Sequence, residues 1–197
     1  MRGILLALVV LLTACSTGLP PGVVATVDGH PVVQAELDRA LTGARAEVAA
    51  AHAGRIPADR LREAGMAAAV REKVLRLWAH EAGLLADPGE QAFQAALAAE
   101  NERRARARAA GRPLPGVPSY DQHTYARIQA AELRNALESR IVLDETALSS
   151  HYRELTASVT APPTYEEARE RVRLSLARRE FERALADRVA KAVVREP

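Results

Sequence analysis

Val23-Val24-Ala25-Thr26-Val27-Asp28-Gly29-His30-Pro31-Val32-Val33, running on into Gln34-Ala35-Glu36-Leu37-Asp38, is the most informative stretch of the chain. Two short apolar, β-prone runs flank Asp28-Gly29, and Asp-Gly between such runs is the strongest short-range hairpin signal. Pro31 has no N–H to donate, which restricts the return strand to an edge or a brief pairing. From Gln34 the apolar spacing lengthens from two to the helical period. Leu37, Ala40, Leu41, Ala44 and Val48 mark one face of a first helix that fades near His52 to Gly54.

Further helices follow in both directions of argument from this start. A second begins around Ala58-Asp59 and carries the strongest apolar stripe, Leu61, Val70, Val74, Leu77, Trp78 and Ala82, with Gly83-Leu84 as its stop. Asp87-Pro88-Gly89-Glu90 combines a capping residue, a proline at the first helical position and a glutamate three residues after the cap, predicting a third helix from Asp87 that ends in the arginine-rich run before Gly111. Residues 112–118 hold three prolines and read as a rigid loop. A fourth helix is expected from about Tyr120 to Val142, with Tyr125, Ile128, Leu133, Leu137 and Ile141 inward. Asp144 caps a short fifth helix holding Leu148, Tyr152 and Leu155. Thr164 with Glu167 forms a capping box that opens a last helix of some thirty residues, with Val172, Leu176, Phe181, Leu185, Val189 and Val193 as its buried positions.

Composition agrees with this order of elements. Of 197 residues 48% are hydrophobic but only 4% aromatic, and alanine supplies 41 positions. Helix formers abound while β-branched and aromatic residues are sparse, which excludes an all-β domain and a bulky aromatic core. The fold class is therefore mainly α: a short N-terminal β-hairpin followed by about six helices. The formal charge of +2, with signs interspersed, gives no case for nucleic acid.

The N-terminus addresses the compartment. Arg2 supplies a positive region, Ile4 to Leu12 an apolar core too short to span a bilayer, and the run ends Leu12-Thr13-Ala14-Cys15. That ending resembles the lipobox of bacterial lipoprotein precursors. The resemblance implies cleavage before Cys15, thioether attachment of a diacylglyceryl group to its sulfur, and anchoring through acyl chains such as palmitate, two of which hold stably where one does not. Residues 1–14 are then a signal peptide and 15–22 a lipidated cysteine and tether. Residues 23–197 form the folded domain, made of 23–155 and a C-terminal helix over 164–194. Seven tether residues after Cys15 reach about 25 Å, keeping the domain near the membrane, either the cell membrane or an outer membrane. Loss of Arg2 takes the basic count from 27 to 26, against 25 acidic residues.

Catalytic patterns are missing from the sequence. The histidines at 30, 52, 80, 123 and 151 are too far apart to share a helical face, and there is no His-Glu-x-x-His, Gly-x-Ser-x-Gly or phosphate loop. A lone cysteine makes neither a disulfide nor a thiolate metal site. No catalytic residue, metal or cofactor is expected. Arg103, Arg104, Arg106, Arg108 and Arg112 concentrate positive charge at a helix C-terminus, where the dipole favours it.

The order of motifs resembles the SurA/PrsA-type foldases and related parvulin-containing chaperones. Those proteins open with a Val-Ala-x-Val-Asn/Asp-Gly-x-x-Ile hairpin leading into a helix, matched here by Val24 to Val32. Their second helix ends Ala-x-x-x-Gly-Leu before a capped third, matched by Ala79, Gly83, Leu84 and Asp87. Residues 143–152, ending in Tyr152, and the Thr164-Tyr165-Glu166-Glu167-Ala168 helix are similar to their later elements. The resemblance implies that the last helix packs back on the N-terminal part. Two departures stand out. Val33 replaces the usual Ser or Thr cap, worth roughly 1 kcal/mol unless another group supplies it. The eight residues from Thr156 to Pro163 cannot hold the isomerase domain that the family carries there.

These readings lead to an expected function: a membrane-anchored, extracytoplasmic lipoprotein acting as an ATP-independent chaperone on unfolded secreted or envelope proteins, without prolyl isomerase activity. The middle helices would supply the client surface, a shallow alanine-walled cleft lined by Leu77, Trp78, Tyr120 and Tyr125. Trp78 on an apolar stripe equally reads as core. The alternative is a dedicated adaptor that docks one envelope partner on the same scaffold. A homodimer through swapped terminal helices is compatible with the pattern.

Overall fold

The computed structural model describes residues 19–196, so Cys15 and the segment before it lie outside the described residues. Strands β1 (Val23–Val27) and β2 (His30–Val33) form the expected antiparallel hairpin. Asp28 and Gly29 take φ values of 50° and 81°, the left-handed pair that an Asp-Gly turn supplies at little cost. The helices are α1 (Gln34–Ala51), α2 (Ala58–Glu81), α3 (Glu90–Ala109), α4 (Gln122–Glu138), α5 (Glu145–Thr156) and α6 (Tyr165–Lys191). The protein is thus mainly helical, with its C-terminal helix returned to the N-terminal hairpin.

That return is completed by a strand the sequence reading lacked. β3 (Val194–Arg195) pairs antiparallel with β1, giving a sheet in the order β2-β1-β3. β1 is central, paired with β2 along most of its length and with β3 at Thr26 and Val27, and β2, with Pro31, is an edge, where a missing donor costs least. The tight ending also corrects the last helix: Val193 lies beyond it and is 54% exposed, and Val189 is only half-buried.

The main core lies where the sheet, α2, α4 and α6 meet. Val27, Val32, Val74, Leu77, Leu133, Leu137, Phe181 and Leu185 are buried there, with Ala40 of α1 at its edge. α1 and α2 pack as an antiparallel pair at close approach: a Cβ on Gly65 would come within 2.5 Å of the Leu41 side chain, so the site needs a residue without one. A second, smaller core joins α5 to the first half of α6 through Leu148, Ala168, Val172 and Leu176. Leu155, expected inward on α5, is 48% exposed.

Several helix starts show how local chemistry was satisfied. No side chain caps α1 at Val33; only the reciprocal half of a capping box is made, the Val33 N–H donating to Glu36 Oε2 at 2.9 Å. Asp121, Asp144 and Thr164 cap α4, α5 and α6 through their side chains, so α4 begins at Gln122 rather than Tyr120 and ends at Glu138 rather than Val142. α3 departs most from expectation. Asp87 accepts from Gly89 N at 2.7 Å in a turn before the helix, Gly89 is the cap, and the helix starts at Glu90. Glu90 does not reach back to Asp87, because its carboxylate is held by Arg39 on α1.

Candidate functional site

The most developed polar arrangement lies where α1, α2, α3 and α4 converge. Arg39, only 7% exposed, donates from both terminal nitrogens to Glu90, at 2.8 and 2.5 Å. Lys73 pairs with Glu36 at 2.6 Å. Arg76 donates to the carbonyls of Pro88 and Gly89 and to Gln129 Oε1. The Phe93 ring is in contact with two guanidiniums, with the Arg39 and Arg76 carbons 4.2 and 5.4 Å from its centroid. Arg39 and Arg76 thus tie the start of α3 to the helical pair, Arg76 also reaches Gln129 of α4, and Lys73 joins α2 to α1.

Glu72 is the exception. It accepts no hydrogen bond among the described residues, although it stands one turn from Arg76, whose donors are committed elsewhere. Burial raises its carboxyl above the ordinary glutamate range, against the pull of Arg39 and Arg76. Glu90 moves the opposite way. Burial also works against its charge, but the bonds from Arg39 and Gln94 outweigh that and lower it. Burial likewise lowers Arg76, while for Arg39 the burial cost is exceeded by the bond to Glu90 together with the charges of Glu90, Glu72 and Glu36, which raise it.

Glu72 opens into a groove of about 300 Å³ between α1, α2 and α4. Its walls are small: Ala40, Gly43 and Ala44 from α1, Ala64 and Ala68 from α2, Ala126 and Ala130 from α4. Three helices that meet through alanine and glycine leave space between them that those small side chains do not fill. Glu47, His123 and Arg127 stand around it, and Arg39 lines it with a buried Nε that has no hydrogen-bond partner.

The four residues expected to line one cleft fall into two places. Trp78 stacks on Phe181 of α6, ring centroids 5.3 Å apart and planes 10° from parallel, under the Arg188 guanidinium. Leu77 is buried in the same core. Tyr125 packs on Phe93 of α3, and Tyr120 on Tyr125. Arg76, over Phe93, and Trp78, on Phe181, point about 200° apart around α2, so the two sets flank opposite sides of that helix. Tyr120 is further held by paired bonds between its backbone and Asn101, and by Arg104, which donates to its hydroxyl and lies 4.0 Å from its ring centre. Both tyrosines and Trp78 therefore serve packing in this structure.

The arginine run is divided in the same manner. Arg104 is buried, bonded to Glu100 and to the carbonyls of Pro115 and Val117, and fixes the proline loop; Arg103 and Arg106 pair with Glu100 and Glu102. His52 and His80 each contact a backbone carbonyl, of Val48 and Leu85, and His151 finds side-chain partners. His151 contacts Ser175 through Nε2 at 3.0 Å and Glu154 through Nδ1 at 3.3 Å, joining α5 to α6. Ser175 lies in the middle of α6, where backbone N–H groups are spent within the helix and offer no oxyanion donors. Glu154 is shared with Arg179. Among the described residues no group of three or more His, Cys, Asp or Glu could hold a metal ion, and no helix is long and apolar enough to cross a membrane.

No family model, curated protein or solved structure matches the chain. The site is therefore described by its own chemistry. Sequence reading singled out none of Arg39, Glu72, Lys73 and Arg76. The available signal was position: Lys73 and Arg76 interrupt the apolar stripe between Val70 and Leu77, where a charge is buried only if partnered.

Proposed function

We propose that this protein is a lipid-anchored, extracytoplasmic chaperone-like module that holds unfolded secreted or envelope chains without ATP and without prolyl isomerase chemistry. The observation that carries the reading is the open, alanine-walled groove between α1, α2 and α4. Small walls leave room for varied side chains, and both signs of charge around them offer polar contact to a segment of mixed composition. The lipobox ending at Cys15 and the short tether favour a position at the membrane surface, with the clients and the bilayer as its partners. The direct passage from α5 to α6 through seven exposed residues, 157–163, leaves catalysis of isomerisation to other proteins.

The test is aggregation of a denatured secreted protein in the presence of the full-length chain in lipid nanodiscs. Suppression at stoichiometric amounts is expected; aggregation at the rate seen with empty nanodiscs would reject the reading. The exposed apolar side chains Leu155, Val159 and Leu174 on and beside the α5–α6 hairpin favour a second reading, an adaptor for one envelope protein. Affinity capture from membranes separates the two, since an adaptor yields one dominant stoichiometric partner and a chaperone a broad spectrum.

A further inference from the structure

The far half of α3 and the loop after it form an arm that the main core does not hold. Among residues 103–119 only Arg104 is buried, and its partners belong to the arm itself: Glu100, the carbonyls of Pro115 and Val117, and Tyr120. The same stretch carries five arginines and no carboxylate. Glu100 and Glu102 pair with Arg103, Arg104 and Arg106, while Arg108 and Arg112 have no acidic partner among the described residues. Two concavities flank the loop, one of about 440 Å³ edged by Arg103, Arg106 and Arg112, the other of about 190 Å³ edged by Arg104 and Arg108. Pro113 and Leu114 line both, and no acidic residue lines either. The helix dipole accounts for cations in the last turn of α3. It does not account for Arg112, which follows the end of the helix at Ala109, nor for the apolar loop set among the arginines.

We propose that this arm docks on an anionic phospholipid surface of the bilayer that holds the chain, with Arg108 and Arg112 meeting lipid phosphates while Leu114 and Val117 enter the interface between them. The inference goes beyond client binding and takes from the lipid-anchor reading only the nearness of a membrane. Val117 is 49% exposed, and the loop loses little by leaving water. Three of the six residues 113–118 are prolines without an N–H, and Arg104 already donates to two of the loop carbonyls, at 3.0 and 2.8 Å, so few backbone groups are stripped of water unpartnered. The arginine stems can lie along apolar surface while their heads stay with the phosphates. An acidic polypeptide would match the charge, but a tip poor in N–H groups suits a partner that offers it no hydrogen bonds, as acyl chains do. Reach agrees as well. α3 begins beside β2, where Asp87 to Glu90 share a concavity with His30, Pro31 and Val33, and Val33 pairs with Val23 at the start of the fold. The 20 residues of α3 put its far end about 30 Å from there, comparable with the tether's reach of about 25 Å, so anchor and arm can rest on one surface.

The experiment places a reporter on the arm, Ser119→Trp in the full-length chain, held in nanodiscs of brominated phosphatidylcholine alone or mixed equally with brominated phosphatidylglycerol. Bromine quenches an indole only at close range, and the parent, whose Trp78 is stacked on Phe181, is the blank. Quenching of the added tryptophan is expected in the mixed discs. It should fall to the phosphatidylcholine level when Arg108→Gln and Arg112→Gln are introduced together, since losing two cations at about 1 kcal/mol each lowers the docked-to-free ratio roughly thirtyfold. Both arginines are exposed, and equal melting temperatures check that the double variant folds as the parent does. Equal quenching in the two kinds of disc, quenching that survives the double substitution, or an emission that responds to added polyglutamate and not to lipid charge overturns the proposal. Retention of the chain on phosphatidylcholine discs reports the anchor alone, and the aggregation assay reports the chaperone reading. Each of the three therefore fails separately.

Discussion

Asp28 and Val193, 165 positions apart in the chain, exchange two hydrogen bonds: Val193 N donates to Asp28 Oδ1 at 2.8 Å, and Asp28 N donates to Val193 O at 3.0 Å. One residue therefore both turns the N-terminal hairpin and latches the C-terminal strand. Asp28→Ala loses the side-chain bond and places a Cβ residue without local polar support at positive φ, at a cost of about 1–3 kcal/mol. Asp28→Asn keeps an acceptor oxygen and tolerates the left-handed backbone, and should stay within about 0.5 kcal/mol of the parent. Urea unfolding of the two variants checks the order.

Arg39 and Glu90 should show strong coupling. Their side chains are 6% and 16% exposed, so Arg39→Met strands a desolvated carboxylate and is expected to destabilise by about 3–5 kcal/mol. Adding Glu90→Leu removes the orphan charge and should restore much of the loss. A double-mutant cycle by chemical denaturation measures this; additive effects would mean that the pair is solvated.

Glu72→Gln should stabilise the fold near neutrality. The native carboxyl is held above the ordinary value of 4.5 by burial, so the ionised form costs stability at all pH values above the raised folded pKa. The advantage of the glutamine variant shrinks as pH falls through that folded value and is gone below about 4.5, where both states of the parent are protonated. Melting temperatures across pH 3–8 check the sign. Glu90→Gln should behave in reverse, destabilising at neutral pH, because the native Glu90 is lowered.

Trp78 offers a spectroscopic test of its place. Phe181→Ala removes the ring stacked on it and should cost about 3–5 kcal/mol and shift the tryptophan emission to the red in the folded protein. Trp78→Phe should keep both the fold and the suppression of aggregation. Loss of suppression with an unchanged melting temperature would place Trp78 in the client surface instead of the core.

The hairpin and the six helices were legible because each rests on local rules: turn chemistry at Asp28-Gly29, apolar spacing on α1 and α2, side-chain caps at Asp144 and Thr164; the return of the last helix, a contact across most of the chain, was implied only by the resemblance of the motif order. β3 was not, since two residues carry no periodicity and Val194 pairs only because α6 delivers it to β1. The start of α3 was misplaced for a related reason. Asp87 satisfied a turn rather than a helix, and Glu90 was taken by an arginine 51 residues earlier, a partner no local window contains. The same holds for the groove. Its walls were visible as alanines, but which alanines face one another depends on how α4 crosses the α1–α2 pair. The expected aromatic cleft failed on rotation, since Arg76 and Trp78 are near in sequence and opposed around the helix.

The seven residues 157–163, exposed throughout and joining two helices that share a core of their own, make this the natural place to graft another domain. A cargo fused there would hang from the tip of the α5–α6 hairpin, away from the sheet latch and from the groove, and its entropic burden would fall on a connection that bears no packing. An insertion at this point would leave in place the part that closes the chain upon itself.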